Sequence, residues 1–517
     1  MAATESFDVI VVGAGSAGCV VAHRLVTGTD ARVLLVEAGG PDTKPEIHDE
    51  LLSATMSLWG GGEWDWGYAT EPQPALGGRS VPVARGKVWG GCSSVNAMVH
   101  VRGNRRDYDH WAALGNPGWS YDDVLPLFRR SEDFEDGASA YRGAGGPVSV
   151  IWHADPTPVS ERLFPATAEL GIAQRGTGFD YNAEQQEDSP FRYQTTKTRE
   201  HRRASTAVAY LHPILDEPTF SLRSHATVTR LVTTGTRVTG VEYRQDGHTH
   251  RAEAAQEVIV CAGAYESPKL LMLSGIGPAD ELASHGIEVI ADLPEVGRNL
   301  QDHMILGICY LSKHEHPFPP TLIAETGFFA RTRAGDSPDV QMKFGGVKFV
   351  GPQYDQDGPG FTFAPVIVQP ESVGSVSLRS ADPADLAVLH PNYLRAGADL
   401  TSFLEAIELS RELAATAALA DFTKVEIAPG PGVTSRADLV DFVRTNAGTL
   451  WHPVGTCALG RVLDPALQVY GVECLRVADA SVMPRIVAGN TNAACIMIGE
   501  KAGDLVRAKY QERSGDV

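Results

Sequence analysis

Residues Phe7 to Gly40 read FDVIVVGAGSAGCVVAHRLVTGTDARVLLVEAGG. The run Asp8 to Val12 is apolar and β-branched, as a strand buried on both faces of a parallel sheet must be. Gly13, Gly15 and Gly18 follow at G-x-G-x-x-G spacing, and Cys19, Val20, Val21, Ala22 and Leu25 continue as the buried side of a helix. In this pattern the first glycine permits a tight turn, the second lets a pyrophosphate approach the backbone, and the third lets helix pack on strand. A second run, Val33 to Val36, ends on the acid Glu37, about 20 residues beyond the glycines, where such a site holds a ribose hydroxyl. Strand, turn, helix, strand and terminal acid occur in order. The stretch therefore predicts an adenine dinucleotide site, and the rest of the chain reads as equipment around it.

The remaining composition narrows the classes. A chain of 517 residues, 43% of them hydrophobic, can bury a large core and is long enough for two or more domains. Lys and Arg total 44 against 64 Asp and Glu, a formal net charge of −20, which repels phosphate backbones and anionic membranes. Neither nucleic acid nor a membrane is an expected partner. The N-terminus lacks a basic region followed by an apolar stretch, and no window is long and apolar enough to span a bilayer. These features predict a soluble, cytoplasmic protein. The 7 cysteines are odd in number, scattered and without a C-x-x-C pair, which suits reduced thiols. The 16 histidines show no metal-ligand spacing, and no metal is expected.

Further along, Gly40 to Gly78 is rich in Trp and Gly and reads as an ordered loop or lid anchored by Trp59, Trp64 and Trp66. Gly86 to Asn96 (GKVWGGCSSVN) is a glycine and hydroxyl cluster able to bring backbone N–H groups close to a ring or phosphate. Residues 104–150 read as amphipathic helices with a break at Pro126, and the basic run Lys197 to Arg203 as a solvated face. Strand patterns return at Phe220–Arg223, Val228–Val232, Val238–Tyr243 and Glu257–Ala262. The last leads into Gly263 to Gly277, a tight turn followed by an apolar helix. Residues 311 to about 445 predict an antiparallel layer with a long helix around Asp399–Ala418. Leu475 to Asp479 then predicts a strand of the first sheet supplied from the far end of the chain, followed by a helix from Thr491 to Arg507.

Taken together, four separated signatures resemble the glucose-methanol-choline (GMC) family of flavin-dependent alcohol oxidoreductases. They are the glycine fingerprint at 13–18, Gly86 to Asn96, Gly263 to Gly277, and His452-Pro-Val-Gly-Thr456 with Asp479-Ala-Ser-Val-Met-Pro484. The chain looks most similar to choline oxidases and to bacterial oxidases of furanic or aromatic primary alcohols. The resemblance implies an α/β fold, α+β overall: a Rossmann-like FAD-binding domain from residues 1–155, 221–310 and 446–517, and an antiparallel-sheet substrate domain with helices from 156–220 and 311–445. It implies FAD in an extended pose, with Gly13, Gly15 and Gly18 at the pyrophosphate, Glu37 and Ala38 at the adenosine ribose, and Val228 at the adenine. Gly90, Gly91, Ser94 and Asn96 lie along the flavin, and Asp479, Ala480, Thr491 and Asn492 border its phosphates, ribityl chain and ring edge. Some choline oxidases carry a flavin-linked histidine just before this asparagine. Here it is Val95, which implies noncovalent FAD.

The catalytic pair carried over is His452 and Asn490. A neutral imidazole can accept the proton of an alcohol while hydride leaves the carbinol carbon, and an amide already oriented can donate to the oxygen as charge develops. The expected reaction is oxidation of a primary alcohol to an aldehyde, with electrons passed to oxygen or another acceptor. The departures bear on substrate. The glutamate that choline oxidases place two residues after the L-Q-D-H histidine is Ile305 here, and the expected aromatic cage reads Ile323 and Ala324. A quaternary ammonium loses both counter-ion and cation–π box. Trp64, Trp66, Phe344 and Trp451 are the candidate pocket residues, favouring a neutral apolar or aromatic alcohol over the alternative of choline or another amino alcohol. A flavin-containing lyase or photodecarboxylase is the alternative from another class. The assembly is left open between monomer and homodimer.

Overall fold

The computed structural model describes residues 5 to 515 apart from 155, 177, 188 and 336, with side chains as far as Tyr510. Its first sheet is built on the opening stretch. Glu5–Val12 lies between Val33–Val36 and His248–Val260, parallel to both, and Phe220–Arg223 extends the parallel set beyond Val33–Val36. Val9, Ile10 and Val11 are fully buried, the two-sided burial that their continuous apolar run requires. His248–Val260 is long enough to serve two partners. Its first half pairs antiparallel with Arg237–Gln245, which in turn pairs with Thr227–Thr234, and its last three residues pair parallel with Leu475–Val477. A strand from the end of the chain thus sits beside one from its middle.

The helix Gly18–Gly28 covers this sheet and packs on the C-terminal helix Asn492–Gly515. The two approach closely because Gly499 faces Ala17 and Val20: a Cβ there would stand 2.8 Å from the Ala17 carbonyl oxygen. Glu500, on the same helix and fully buried, accepts from Arg24 (2.8 Å) and from Tyr210 (2.8 Å), and pairs with Arg130. Helices Arg105–Ala113 and Tyr121–Ser131 begin in capping boxes at Asn104 and Ser120. Pro126, expected to break the pattern, lies inside the second of them. Packing of Tyr121, Val124, Leu127 and Phe128 into the core overrides the missing N–H.

The second sheet is mixed in chain order and antiparallel, running Thr423–Ala428, Ile308–Ser312, Gly360–Ile367, Val340–Gly345, Thr326–Ala330 and Phe191–Arg192. Met304–Ile305 joins it beside Gly360–Ile367 and also pairs with Gly448–Thr449. Helices Gly397–Ala415 and Ala417–Ala420 back it, close to the long helix expected there. Gly360–Ile367 and Val340–Gly345 are buried throughout, one face against these helices and the other toward the first sheet. The fold is mixed α and β, as the resemblance implies. The seven cysteines are all free. No described helix is long and apolar enough to cross a membrane.

Candidate active site

The glycine turn follows directly from the first strand. Gly13 takes φ +98°, and its N–H donates to the Val36 carbonyl at 2.8 Å, tying the turn to the neighbouring strand. A Cβ on Gly18 would stand 1.8 Å from the Gly13 carbonyl oxygen, so only glycine lets the helix begin there. The helix start has no side-chain cap and no acidic residue in its first turn, leaving its positive end open to an anion. Glu37 reaches back over the turn: its carboxylate accepts from the N–H groups of Ala14 and Gly39, at 2.7 Å each. Burial pushes its pKa up against those bonds.

From this turn a cavity of about 490 Å³ runs between the two sheets. It is lined by Gly13, Gly15, Glu37, Ala38 and Val228, by Gly91, Asn96, Asp479, Ala480, Thr491 and Asn492, and by His452 and Asn490 with Trp66, Phe344 and Trp451. Residues from the start, middle and end of the sequence therefore meet in one volume. An uncapped helix end, an acid closing on the turn and a cavity opening from that turn fit the FAD that the resemblance implies. Asp479 is fixed by the Gly263 N–H (2.9 Å), the Ser267 hydroxyl (2.5 Å) and the Ser481 N–H (2.8 Å).

Four candidate residues stand elsewhere. Gly18 and Gly90 lie behind the lining, and Ser94 turns its hydroxyl away to the Trp89 carbonyl at 2.6 Å. These shape the turns and do not face the cavity. Trp64 also lies outside it: its indole donates to the Leu58 carbonyl at 3.1 Å and carries Lys44 over its ring at 4.1 Å. Trp59 takes the place expected of it, lining the cavity, donating to the Val95 carbonyl at 2.9 Å and meeting Trp451 edge-on at 5.3 Å. The Phe344 ring packs largely on Phe363, 4.6 Å away.

The chemistry gathers at His452. Its Nε2 lies 3.3 Å from Asn490 Nδ2, and its Nδ1 lies 2.9 Å from Nδ1 of the fully buried His303. His303 Nε2 is 3.3 Å from the Val368 carbonyl, which can only accept. With the His303 proton on Nε2, facing that carbonyl, its Nδ1 accepts from His452 and His452 carries its own proton on Nδ1. That leaves His452 Nε2 bare, a lone pair facing the cavity beside an amide donor. Enclosure by protein, then the neighbouring His303, Lys343 and Arg85, hold the His452 pKa well below the usual histidine range. The backbone places the ring: Asp302 accepts the His452 N–H at 2.8 Å and is itself held by the hydroxyls of Tyr393 and Thr449, at 2.5 Å each.

Several residues were not legible in advance. His303 belongs to the quoted L-Q-D-H segment, but only the sheet brings it to His452. Lys343 stands in Val340–Gly345 between Gly327 and Ala364 on the neighbouring strands, buried, with Nζ 3.4 Å from Asn490 Oδ1. Desolvation lowers its pKa to about 7. The basic run at 197–203 is only half a solvated face. It turns back on itself through the Lys197–Arg203 bridge, leaving Arg199 to Arg202 exposed while Lys197 and Arg203 are buried. Arg203 Nη1 donates to Asn96 O at 2.7 Å and to Ser93 O at 3.2 Å, bracing the loop that lines the cavity.

Comparison with known proteins agrees with this geometry. Residues 7–305 and 370–499 match the N- and C-terminal models of the GMC oxidoreductases. The chain is 39% identical to the mitochondrial choline dehydrogenase of Mus musculus, covering 97% of this chain and 90% of that protein. It is 37% identical to an alcohol dehydrogenase (acceptor) of Pseudomonas putida, over 99% of this chain and 97% of the other. Among solved structures, pyridoxine 4-oxidase from Mesorbium loti superposes with a TM-score of 0.90 at 32% identity, covering 96% of this chain and 98% of that one. The glycine turn, the shared cavity and these matches along nearly the whole sequence establish that the chain belongs to the GMC oxidoreductases, a family of FAD-binding enzymes.

Proposed function

We propose that this enzyme oxidises a primary alcohol to an aldehyde, with His452 as base and a neutral, apolar or aromatic alcohol as substrate. The observation that carries the reading is the bare His452 Nε2 set 3.3 Å from Asn490 Nδ2 at the wall of the cavity. An alcohol oxygen in the cavity within reach of both donates its proton to Nε2 and accepts from the amide. His452 removes the proton, and Asn490 stabilises the negative charge that appears on the oxygen. Bound FAD would supply the acceptor for the hydride that leaves the carbinol carbon. With Val95 in place of a linking histidine, the cofactor is held without a covalent bond, and oxygen or another oxidant takes the electrons.

The lining supports a neutral substrate. Among the described residues its carboxylates are Glu37, Glu266 and Asp479. Glu37 and Asp479 are occupied as above, and Glu266 holds the Tyr68 hydroxyl and pairs with Lys269. None is free to balance a trimethylammonium group, Ile305, Ile323 and Ala324 stand in the wall, and Lys343 adds a cation. Kinship with choline dehydrogenases favours choline as the second reading. An anaerobic stopped-flow panel of benzyl, furanic, aliphatic and sugar alcohols together with choline tests both: the flavin band should bleach with a neutral primary alcohol and not with choline. Bleaching by choline alone would overturn the substrate reading. Bleaching by no alcohol would return the lyase reading. Admission of air then separates oxygen from other acceptors.

A further inference from the structure

Lys343 lines the site, and the proposed reaction does not use its chemistry. It is buried on a central strand, and no carboxylate among the described residues pairs with it. Its neighbours are Asn490 Oδ1 at 3.4 Å, Tyr193 Oη at 3.5 Å, and the Tyr193 ring, whose centroid is 4.7 Å away. The Tyr193 oxygen also accepts from Gln341 at 3.1 Å. Burying an ammonium without a counter-ion is costly, so a position that keeps one calls for a use.

The use lies in direction. Lys343, Asn490, His452 and His303 form a chain ending on the Val368 carbonyl, with successive separations of 3.4, 3.3, 2.9 and 3.3 Å. An amide and two imidazoles can each be turned either way, and by themselves do not choose which atom donates. The two ends do choose wherever Lys343 is charged, below about pH 7: an ammonium has no lone pair and a carbonyl has no proton. With Lys343 donating to Asn490 Oδ1, the amide must present Nδ2 to His452. His452 then donates from Nδ1 to His303, and His303 donates from Nε2 to Val368. All the donors point one way, and both ends demand the same sense.

We propose that Lys343 is a positioning residue: by holding Asn490 Oδ1 it keeps Nδ2 turned toward the reacting oxygen and keeps His452 Nε2 free of a proton. The proposal rests on His452 and Asn490 as the reacting pair, and its test separates the two ideas. Nitrogen-15 NMR of the FAD-loaded protein labelled at histidine, with His452 assigned by difference against His452→Gln, reads the tautomer without any substrate. Wild type and Lys343→Arg, whose head group also only donates, should show Nδ1 protonated and Nε2 bare. Lys343→Met should show some His452 protonated on Nε2, where the freed amide turns its oxygen to the ring against the remaining pull of the Val368 carbonyl. Should that variant fail to load FAD, Lys343→Gln, whose head accepts as well as donates, takes its place with the same expectation. A proton on Nε2 in wild type, or a wild-type pattern in the Met or Gln variant, overturns the proposal.

The kinetic arm uses benzyl alcohol, or the best primary alcohol of the panel. Lys343→Met should slow anaerobic flavin reduction about tenfold with little change in apparent substrate affinity. The same substitution in an Asn490→Ala background should cost nothing further, because the residue through which Lys343 acts is gone. An equal loss in both backgrounds would show that Lys343 acts directly or structurally, and the proposal would fall. If no alcohol reduces the flavin, the reaction assigned above fails while the tautomer measurement still decides on Lys343.

Discussion

His452 is tied at both ring nitrogens and at its backbone, so its replacement should be read in chemistry more than in folding. His452→Ala should retain FAD and slow anaerobic flavin reduction about a hundredfold or more; near-normal reduction would remove it as the base. Val95 lines the cavity as an alkyl side chain with no atom able to link a ring, so acid precipitation should leave all the yellow colour in the supernatant. Colour retained in the pellet would mean an attachment elsewhere. At this scale the sequence was informative where residues come in motifs. Glu37 and the glycines could be placed from their spacing, and His452 and Asn490 only through the resemblance to the family. Lys343 could not, because a lone lysine between Met342 and Phe344 becomes unusual only when Gly327 and Ala364 flank it and the second sheet closes over it. Trp64 and Trp59 were indistinguishable in a tryptophan-rich loop, and indole hydrogen bonds decided which of them faces inward.

Among the elements, the opening strand, turn and helix were fully legible, since each glycine answers a steric demand that sequence spacing expresses. Gly18→Ala puts a methyl group 1.8 Å from the Gly13 carbonyl. The variant should yield protein with little or no bound flavin, or none that folds; a normal flavin spectrum at normal yield would contradict the contact. Pro126 shows the opposite case. Its local signal was for a break, and tertiary burial of Tyr121, Val124 and Phe128 kept the helix whole. The run at 197–203 misled for a similar reason: charge predicts solvent, but a tight reversal carries Arg203 back to satisfy the carbonyls of the Ser93 to Asn96 loop. Long apolar periodicity was readable, and short turns fixed by distant partners were not.

For the molecule as a whole, buried His303 and half-buried His452 together predict how stability responds to acid. The His303 pKa is lowered to about 3 by burial, and that of His452 lies well below its ordinary value. Both stay neutral in the folded protein while the unfolded chain takes up protons below about pH 6.5. Their contribution is present above that value and declines as pH falls. The urea midpoint of the wild type should therefore fall more between about pH 6.5 and 5 than that of a His303→Gln variant, a comparison that cancels other buried groups such as Asp107, whose pKa burial raises to about 7; an equal change in both would contradict this role of the pair. Glu500 ties three separated parts of the chain through Arg24, Arg130 and Tyr210, so Glu500→Ala should cost about 3 kcal/mol by leaving the Arg24 guanidinium unbalanced, while Arg130 keeps Asp504. Thermal melting of the apoprotein checks this without interference from cofactor.

The cavity that opens on Gly13 is completed by Asp479, Thr491 and Asn492, and the sheet beneath it by Leu475–Val477. A ribosome adding about 5 to 20 residues per second needs tens of seconds to travel from the first of these to the last. During that interval the nascent chain carries a nucleotide turn with no far wall. Cofactor capture is therefore an event of the finished polypeptide, and flavin supply in the producing cell acts on released chains waiting with an open cleft. Release stalled or truncated ahead of Asp479 should give colourless protein however much FAD surrounds it.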